Sequence, residues 1–258
     1  MREELLKLLK KSTTLNRIAS KIYWKMLHIV IRIEGSEFYE RRWLMRHTKQ
    51  KSDWEDLPNR DSWVKDYWES KNHPHRNFLV QRILRFAPIE SILEVGSNCG
   101  PNLYLLAKFL PLARIIGVDI NPVAVNEGNK FLKNEGISNV KLICSKADDL
   151  DTFKDKSFDI VFTDAVLIYI GPDKIEKVIK NFVRIARKTI ILLEWHSERL
   201  NNERIEFLYK GKWVRDYKAL FERFGFVNVK VEKIPEEIWP DSNWKIYGTL
   251  ITIYLDLY

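Results

Sequence analysis

Ile92-Leu93-Glu94-Val95-Gly96-Ser97-Asn98-Cys99-Gly100-Pro101-Asn102-Leu103 is the stretch on which the fold turns. A short apolar run reads as a strand, a glycine-containing turn follows, and a helix begins near Asn102. In open α/β sheets such loops sit at the carboxyl ends of strands, where ligands bind. Gly96 lets backbone approach a ligand with no Cβ between, and Asn98 is, after glycine, the residue type that best tolerates φ > 0. The spacing is G-x-x-x-G, not the dinucleotide G-x-G-x-x-G. A plain strand–helix turn would use the same glycines, so the surrounding chain must decide.

Outward from this loop, strand-like runs recur at Ile115–Val118, Val140–Ile143, Ile160–Phe162 and Thr189–Leu193, separated by helix-like segments. Short β-rich runs spaced in this way predict parallel strands buried on both faces. The last two runs, Val227–Ile234 and Gly248–Leu257, have only a turn-rich segment with Pro235, Pro240 and Asp241 between them. They read as an antiparallel pair at the sheet edge with no intervening helix. The expected fold is a three-layer, Rossmann-like α/β domain with a mostly parallel seven-stranded sheet, its last strand antiparallel.

Two further strand ends carry acids. Asp119 closes the second strand, 19 residues after Gly100, where a carboxylate can accept both hydroxyl hydrogens of a ribose. Asp148, after the third, could accept from an adenine amino group. Each alone could be a solvated loop charge; three consecutive strand ends with suitable residues point to a nucleoside.

From about residue 75 onward the chain resembles the class I S-adenosylmethionine-dependent methyltransferases. The matching elements are Glu94-Val95-Gly96-Ser97-Asn98-Cys99-Gly100, Asp119, Ala147-Asp148, Phe158-Asp159-Ile160-Val161-Phe162-Thr163-Asp164 and the paired terminal strands. The resemblance implies S-adenosyl-L-methionine as cofactor. It places Glu94 and the loop of Gly96, Ser97, Asn98 and Gly100, with Asn102, around the methionine moiety. It likewise puts Asp119 on the ribose, Ile120 on the adenine face, Ala147 and Asp148 at the amino edge, and Asp164 beside the methyl. The family commonly has glycine at position 98. A narrower similarity links Asn98 and Asn102, Val166–Lys174, Leu193-Glu194-Trp195, Tyr209-Lys210-Gly211 and Arg215-Asp216-Tyr217 to methylases of pseudaminic acid and other surface-sugar biosynthesis. It favours a small or sugar-linked acceptor.

Methyl transfer requires an acceptor aligned with the methyl carbon, water excluded and, where the acceptor carries a proton, a base. His196, Glu194 and Asp164, at the ends of the fifth and fourth strands, are the candidates. An exposed loop histidine and a salt-bridged glutamate are the plain alternatives. Tyr67, Trp68, His73, Arg76, Tyr169 and Arg215 are candidate acceptor contacts, although aromatics at helical spacing also suit a core and Arg215 a surface ion pair. Asp216 reads as a helix N-cap. His73-Pro74-His75 has no third ligand at metal-site spacing, so no metal is expected.

The 258 residues carry a formal charge of +8, and it is uneven: residues 1–50 hold 12 Lys/Arg against 5 Asp/Glu, the remaining 208 hold 31 against 30. That argues against a body gripping nucleic acid along its surface. No Asn/Asp-Pro-Pro-Tyr/Phe follows the fourth strand, as base amino-methylation would need. Neither Cys99 nor Cys144 stands in the setting of a cysteine nucleophile; two cysteines fit a reducing, cytoplasmic compartment. Scarce glutamine beside abundant Lys, Glu and Ile leans towards a heat-adapted source.

Apolar positions Ile18, Ala19, Ile22, Met26, Ile29, Val30 and Ile33 recur at helical spacing among Arg17, Lys21, Lys25 and Arg32, predicting a basic amphipathic helix that ends at Gly35. It is too short and charged to span a bilayer, and suits packing on the domain, a second copy of the chain, or a membrane surface. The expected organisation is an extension over 1–35, a helical cap over 36–85 and the methyltransferase domain over 86–258. The function expected is methyl transfer to an O or N atom of a small acceptor, sugar- or lipid-linked acceptors included. A cofactor-binding scaffold without catalysis and a nucleotide-binding oxidoreductase are the rivals.

Overall fold

A computed structural model describes residues 13–45, 63–198 and 205–255. Strands β1 (Ser91–Val95), β2 (Arg114–Asp119), β3 (Val140–Cys144), β4 (Phe158–Asp164) and β5 (Ala186–Trp195) pair in parallel. With β8 (Val229–Lys233) and β9 (Gly248–Tyr254) they form one sheet in the order β3-β2-β1-β4-β5-β9-β8. Only β9 runs against the rest, pairing antiparallel with both β5 and β8. This is the Rossmann-like sheet that the alternating runs predicted.

Alternation along the central strands feeds two cores. Ile92, Ile160, Phe162 and Leu193 face Leu79, Val80 and Ile83 of α4 (Pro74–Leu84) and Leu103 and Leu106 of α5 (Pro101–Phe109). Leu93, Val95, Val161 and Leu192 face Val178 and Phe182 of α7 (Ile175–Ile185) and Leu220 and Phe221 of α8 (Tyr217–Glu222). The helix α6 (Pro122–Asn134) covers β2 and β3. Asp216 does cap α8, its carboxylate accepting from the Ala219 N–H.

The N-terminal basic helix, α1 (Thr13–Glu34), ends at Gly35, whose φ of +58° reverses the chain into α2 (Ser36–Met45). A side chain there would also strike the Asp173 carboxylate, 2.6 Å from an added Cβ. Asp173 accepts from the Ser36 N–H (3.0 Å) and hydroxyl (3.0 Å), and Ser36 Oγ accepts from the Gly171 N–H. The turn is thereby fastened to the loop after β4. The third described helix, α3 (Trp63–Glu69), packs Trp68 on Tyr104 and Phe131, over α5 and α6.

Two elements differ from expectation. A hairpin, β6 (Glu206–Tyr209) and β7 (Lys212–Arg215), turns on Lys210 and Gly211, both at positive φ as a two-residue hairpin loop requires. Between β8 and β9 stands a short helix, α9 (Ser242–Tyr247), where the sequence suggested none. Its cause is Asp241, whose Oδ1 accepts from the Asn243 and Trp244 N–H groups and caps the turn.

Candidate active site at the carboxyl rim

The rim is built by three strand-end acids. Phe162 and Leu193 point into the α4–α5 core, so alternation turns Glu94, Asp119 and Asp164 to that same side of the sheet. The loop after β1 closes against β2: Gly96 and Ser97 N–H groups donate to Val118 O, and Asn98, at φ +49°, donates its N–H to Asp119 Oδ2 at 2.8 Å. Asp119 Oδ1 accepts from the Asn121 N–H. Burial raises the Asp119 carboxyl, and these two N–H groups oppose the rise. A Cβ on Gly96 would lie 2.1 Å from Val166 Cγ2, so the glycine admits the loop after β4 to the rim.

Glu94 and Asp164 are bridged by one amide. Asn102 Nδ2 donates to Glu94 Oε1 (2.7 Å) and to Asp164 Oδ2 (3.0 Å). Asp164 Oδ2 also receives Arg76 Nη1 (3.3 Å) and lies 3.1 Å from His75 Nε2. Burial alone would raise Asp164, but His75, Arg76 and Asn102 outweigh it and hold the carboxyl down at about 2. Glu94 has no ion pair of its own among the described residues, and the Arg76 charge lowers it only in part. Burial, opposed by Asn102 and reinforced by the Asp164 charge, pushes it up to about 8. One carboxylate and one carboxylic acid therefore share the site at neutral pH.

Four buried atoms here have no hydrogen-bond partner among the described residues: Glu94 Oε2, Ser97 Oγ, Asn102 Oδ1 and Asp164 Oδ1. Buried acceptors are rarely left unpaired unless something else fills them. A ligand with several N–H donors, such as the ammonium of an amino acid, matches this set. The chemistry of the site fits the methionine end of S-adenosylmethionine.

Further along the rim, Ile120 and Ala147 are half-buried. Asp148 stands 3.7 Å from Lys174 and 4.0 Å from Lys177. Lys174 and Lys146 both pair with Glu40, which ropes α2 across this end.

The remaining expected residues divide. Tyr67 lies under the Arg76 guanidinium, 5.0 Å from its ring centre, and burial pushes its hydroxyl up to about 12. His73 Nδ1 is 2.6 Å from His75 Nδ1, which continues to Asp164. Trp68 is buried on Tyr104 and Phe131, apart from the acids. Tyr169, in the turn Leu167–Tyr169, meets Tyr39 of α2.

Glu194 and His196 fall on the opposite face of β5 from Asp164. Glu194 is fully buried and caps the turn after β4, accepting from Thr163 Oγ1 and from the Val166, Leu167 and Ile168 N–H groups. Burial, opposed by those bonds, pushes it up to about 7. His196 is buried against Tyr217, its Nδ1 accepting from the Tyr217 N–H, and burial pushes its imidazole down. Arg215 is fully buried: it pairs with Glu206 at 2.6 Å and donates to Leu167 O and Ile170 O, tying the hairpin to the same turn.

Several residues at the rim were not singled out by sequence. His75 stacks on Trp239 (4.0 Å between ring centres) and Trp239 on Trp244 (3.7 Å), with Trp195 6.2 Å beyond. Lys212 Nζ sits 4.9 Å from the Trp195 ring centre and 5.7 Å from that of Tyr169, with no carboxylate within 4.0 Å among the described residues. Burial pushes its ammonium down. Trp195 Nε1 is buried without a partner among the described residues. The two tryptophans in the turn-rich segment before β9 were the available signal. A separate cavity of about 490 Å³, lined in part by Arg32, Ile205, Trp213 and Arg223, holds none of the strand-end acids and lacks the chemistry of the rim. No group of three or more metal-ligating side chains occurs among the described residues.

Comparison with known proteins bears on the domain as a whole. Residues 92–189 match the family model described as a methyltransferase domain. The chain is 30% identical over 162 residues to the ribosomal protein L11 methyltransferase of Aquifex aeolicus, covering 62% of this chain and 60% of that protein. It thus spans less than two-thirds of this relative's length. Among solved structures, geranyl diphosphate C-methyltransferase from Streptomyces coelicolor superposes with a TM-score of 0.58 at 8% identity, over 84% of this chain and 96% of that one. Magnesium protoporphyrin IX methyltransferase from Synechocystis, solved with bound S-adenosylmethionine, gives 0.52 at 15% identity, over 88% and 96%. These two likenesses show the fold. Residues 92–189 thus carry the sequence of a methyltransferase domain, and the sheet, in the order β3-β2-β1-β4-β5-β9-β8, has the fold of the S-adenosylmethionine-dependent methyltransferases on which it superposes.

Proposed function

We propose that this protein moves a methyl group from S-adenosylmethionine to an oxygen or nitrogen of a small acceptor, sugar- or lipid-linked acceptors included, bound against the aromatic wall beside Asp164. The observation that carries this is the set of unpaired buried acceptors on Glu94, Asn102 and Asp164, joined through one amide at the ends of β1 and β4. In this reading they take the ammonium of the methionine moiety, with Ser97 and the 96–100 loop around it. Asp119 takes the ribose hydroxyls, Ile120 and Ala147 pack on the adenine, and Asp148 faces its amino edge. The bound cofactor supplies an electrophilic methyl carbon on a sulfonium.

For an acceptor with a proton to lose, His73–His75–Asp164 is the best-connected base. A proton taken by His73 places its positive charge next to His75 and, through it, the ionised Asp164. Trp239 and Trp244 offer flat apolar surface to a ring, and Lys212 with the Trp195 indole N–H offers two donors to an anionic or carbonyl group. Glu194, Arg215 and His196 we assign to the frame, since their polar atoms are spent on the turn after β4 and on α8. Residues 1–35 carry the contact with a membrane surface or a second copy of the chain.

Calorimetry with S-adenosylhomocysteine, S-adenosylmethionine and NAD tests the cofactor. Binding of the first two and not NAD is expected; NAD binding alone would favour an oxidoreductase. Turnover on a panel of acidic sugars and phosphorylated or carboxylated alcohols separates an enzyme from a cofactor-binding scaffold.

A further inference from the structure

Helix α1 has two apolar faces where folding needs one. Its inner face is docked: Ile31 is fully buried, Leu27 and Trp24 each lie 3.3 Å from a Cβ placed on Gly211, and His28 Nε2 accepts from the Gly211 N–H. Across the helix, Ile22 (53% exposed), Met26 (64%), Ile29 (58%) and Ile33 (78%) follow one another at steps of four, three and four, an unbroken stripe facing away from the domain. Half-exposed Tyr23 and Val30 widen it. Scattered exposed apolar side chains need no explanation, but a continuous stripe marks an interaction surface.

The charge beside the stripe selects the partner. Lys21, Lys25 and Arg32 recur at steps of four and seven, which places them in a single exposed row along one flank. The helix holds four basic residues and one acid, Glu34. A second copy packed on this face would set like charges against like. An anionic bilayer surface would accept the apolar stripe at the level of its acyl chains and the lysine row among its headgroups. No described helix is long and apolar enough to cross a membrane, so α1 would lie on the bilayer. We infer that the outer face of α1 seats this protein on anionic lipid, with the Ile22–Met26–Ile29–Ile33 stripe inserted. The inference does not depend on the methyltransferase reading.

The test is vesicle flotation of the full chain with phosphatidylcholine vesicles, with and without phosphatidylglycerol, alongside light scattering of the protein alone. Flotation with the anionic vesicles, at least tenfold weaker on neutral ones and reduced by salt, is expected. The variant Ile22→Ser/Met26→Ser/Ile29→Ser should lose it at least tenfold. Lys21→Glu/Lys25→Glu/Arg32→Glu should abolish the preference for anionic lipid. Both variants should bind S-adenosylhomocysteine as the parent does, which shows that they are folded and separates this result from the cofactor assignment. Absence of flotation by the parent, or flotation unchanged in the serine variant, overturns the proposal. So does a dimer that becomes monomeric in the serine variant without any lipid binding, which would assign the stripe to a second copy.

Discussion

Glu94→Gln should stabilise the ligand-free protein while weakening its hold on the cofactor. Glu94 is 2% exposed and, held at about 8, retains a proton that an unfolded glutamate gives up near its ordinary 4.5. The sign follows: a carboxyl whose folded pKa is raised contributes most stability below the unfolded value, and that contribution is lost as pH rises from about 4.5 to about 8. At about 1.4 kcal/mol per unit, the parent should lose roughly 3–4 kcal/mol from this group between pH 5 and pH 8. Glutamine keeps the Oε1 that accepts from Asn102, and its amide can donate to Asn102 Oδ1 or Asp164 Oδ1, both now unpaired. It has no proton to lose. Urea unfolding of both proteins at pH 5, 6, 7 and 8 should therefore give a stability difference that grows in favour of Glu94→Gln with each pH step. Calorimetry on the same samples should show weaker S-adenosylhomocysteine binding in the variant. A variant less stable than the parent at pH 8, or a pH-independent difference, would refute the assignment of Glu94 as a buried acid poised for a cationic ligand.

Three other outcomes follow from the rim. Asp119→Ala should weaken S-adenosylhomocysteine binding by about 1.5–3 kcal/mol in calorimetry, the worth of hydrogen bonds to a charged group, with circular dichroism unchanged. Once an acceptor is in hand, His73→Gln should lower turnover by roughly 100-fold or more and remove the acid limb of its pH profile. Cofactor affinity should stay as in the parent; a loss of affinity with the limb intact would make His73 a packing residue. Lys212→Gln should raise KM for acidic acceptors with kcat little changed, whereas an equal fall in both kcat and kcat/KM would move Lys212 to the reacting centre.

The sheet and its rim of strand-end acids were legible because each strand announces itself locally. Ile92–Val95 and Ile115–Asp119 are buried runs bounded by turn residues, and the acids come directly at their ends. The aromatic wall beside Asp164 was not legible in the same way. His75 meets Trp239 across 164 residues of chain, and nothing local to either predicts the stack. The hairpin escaped because Lys210-Gly211 lacks the Asn-Gly or Asp-Gly signature, although Gly211 supplied half of it. The position of His196 was within reach. Asp164 pairs with Leu193, so a period of two carries Glu194 and His196 to the opposite face and Trp195 to the near one. Weighing residue types by pKa alone favoured the histidine; counting parity along β5 would have favoured the tryptophan and, beside it, Lys212.

A crystal structure of the full chain with S-adenosylhomocysteine tests the central claim most directly. The amine should lie within hydrogen-bond distance of Glu94, Asn102 and Asp164, with the ribose hydroxyls on Asp119. A ligand bound elsewhere, for instance in the cavity beside Trp213 and Arg223, with the four unpaired rim atoms still unfilled, would contradict the account.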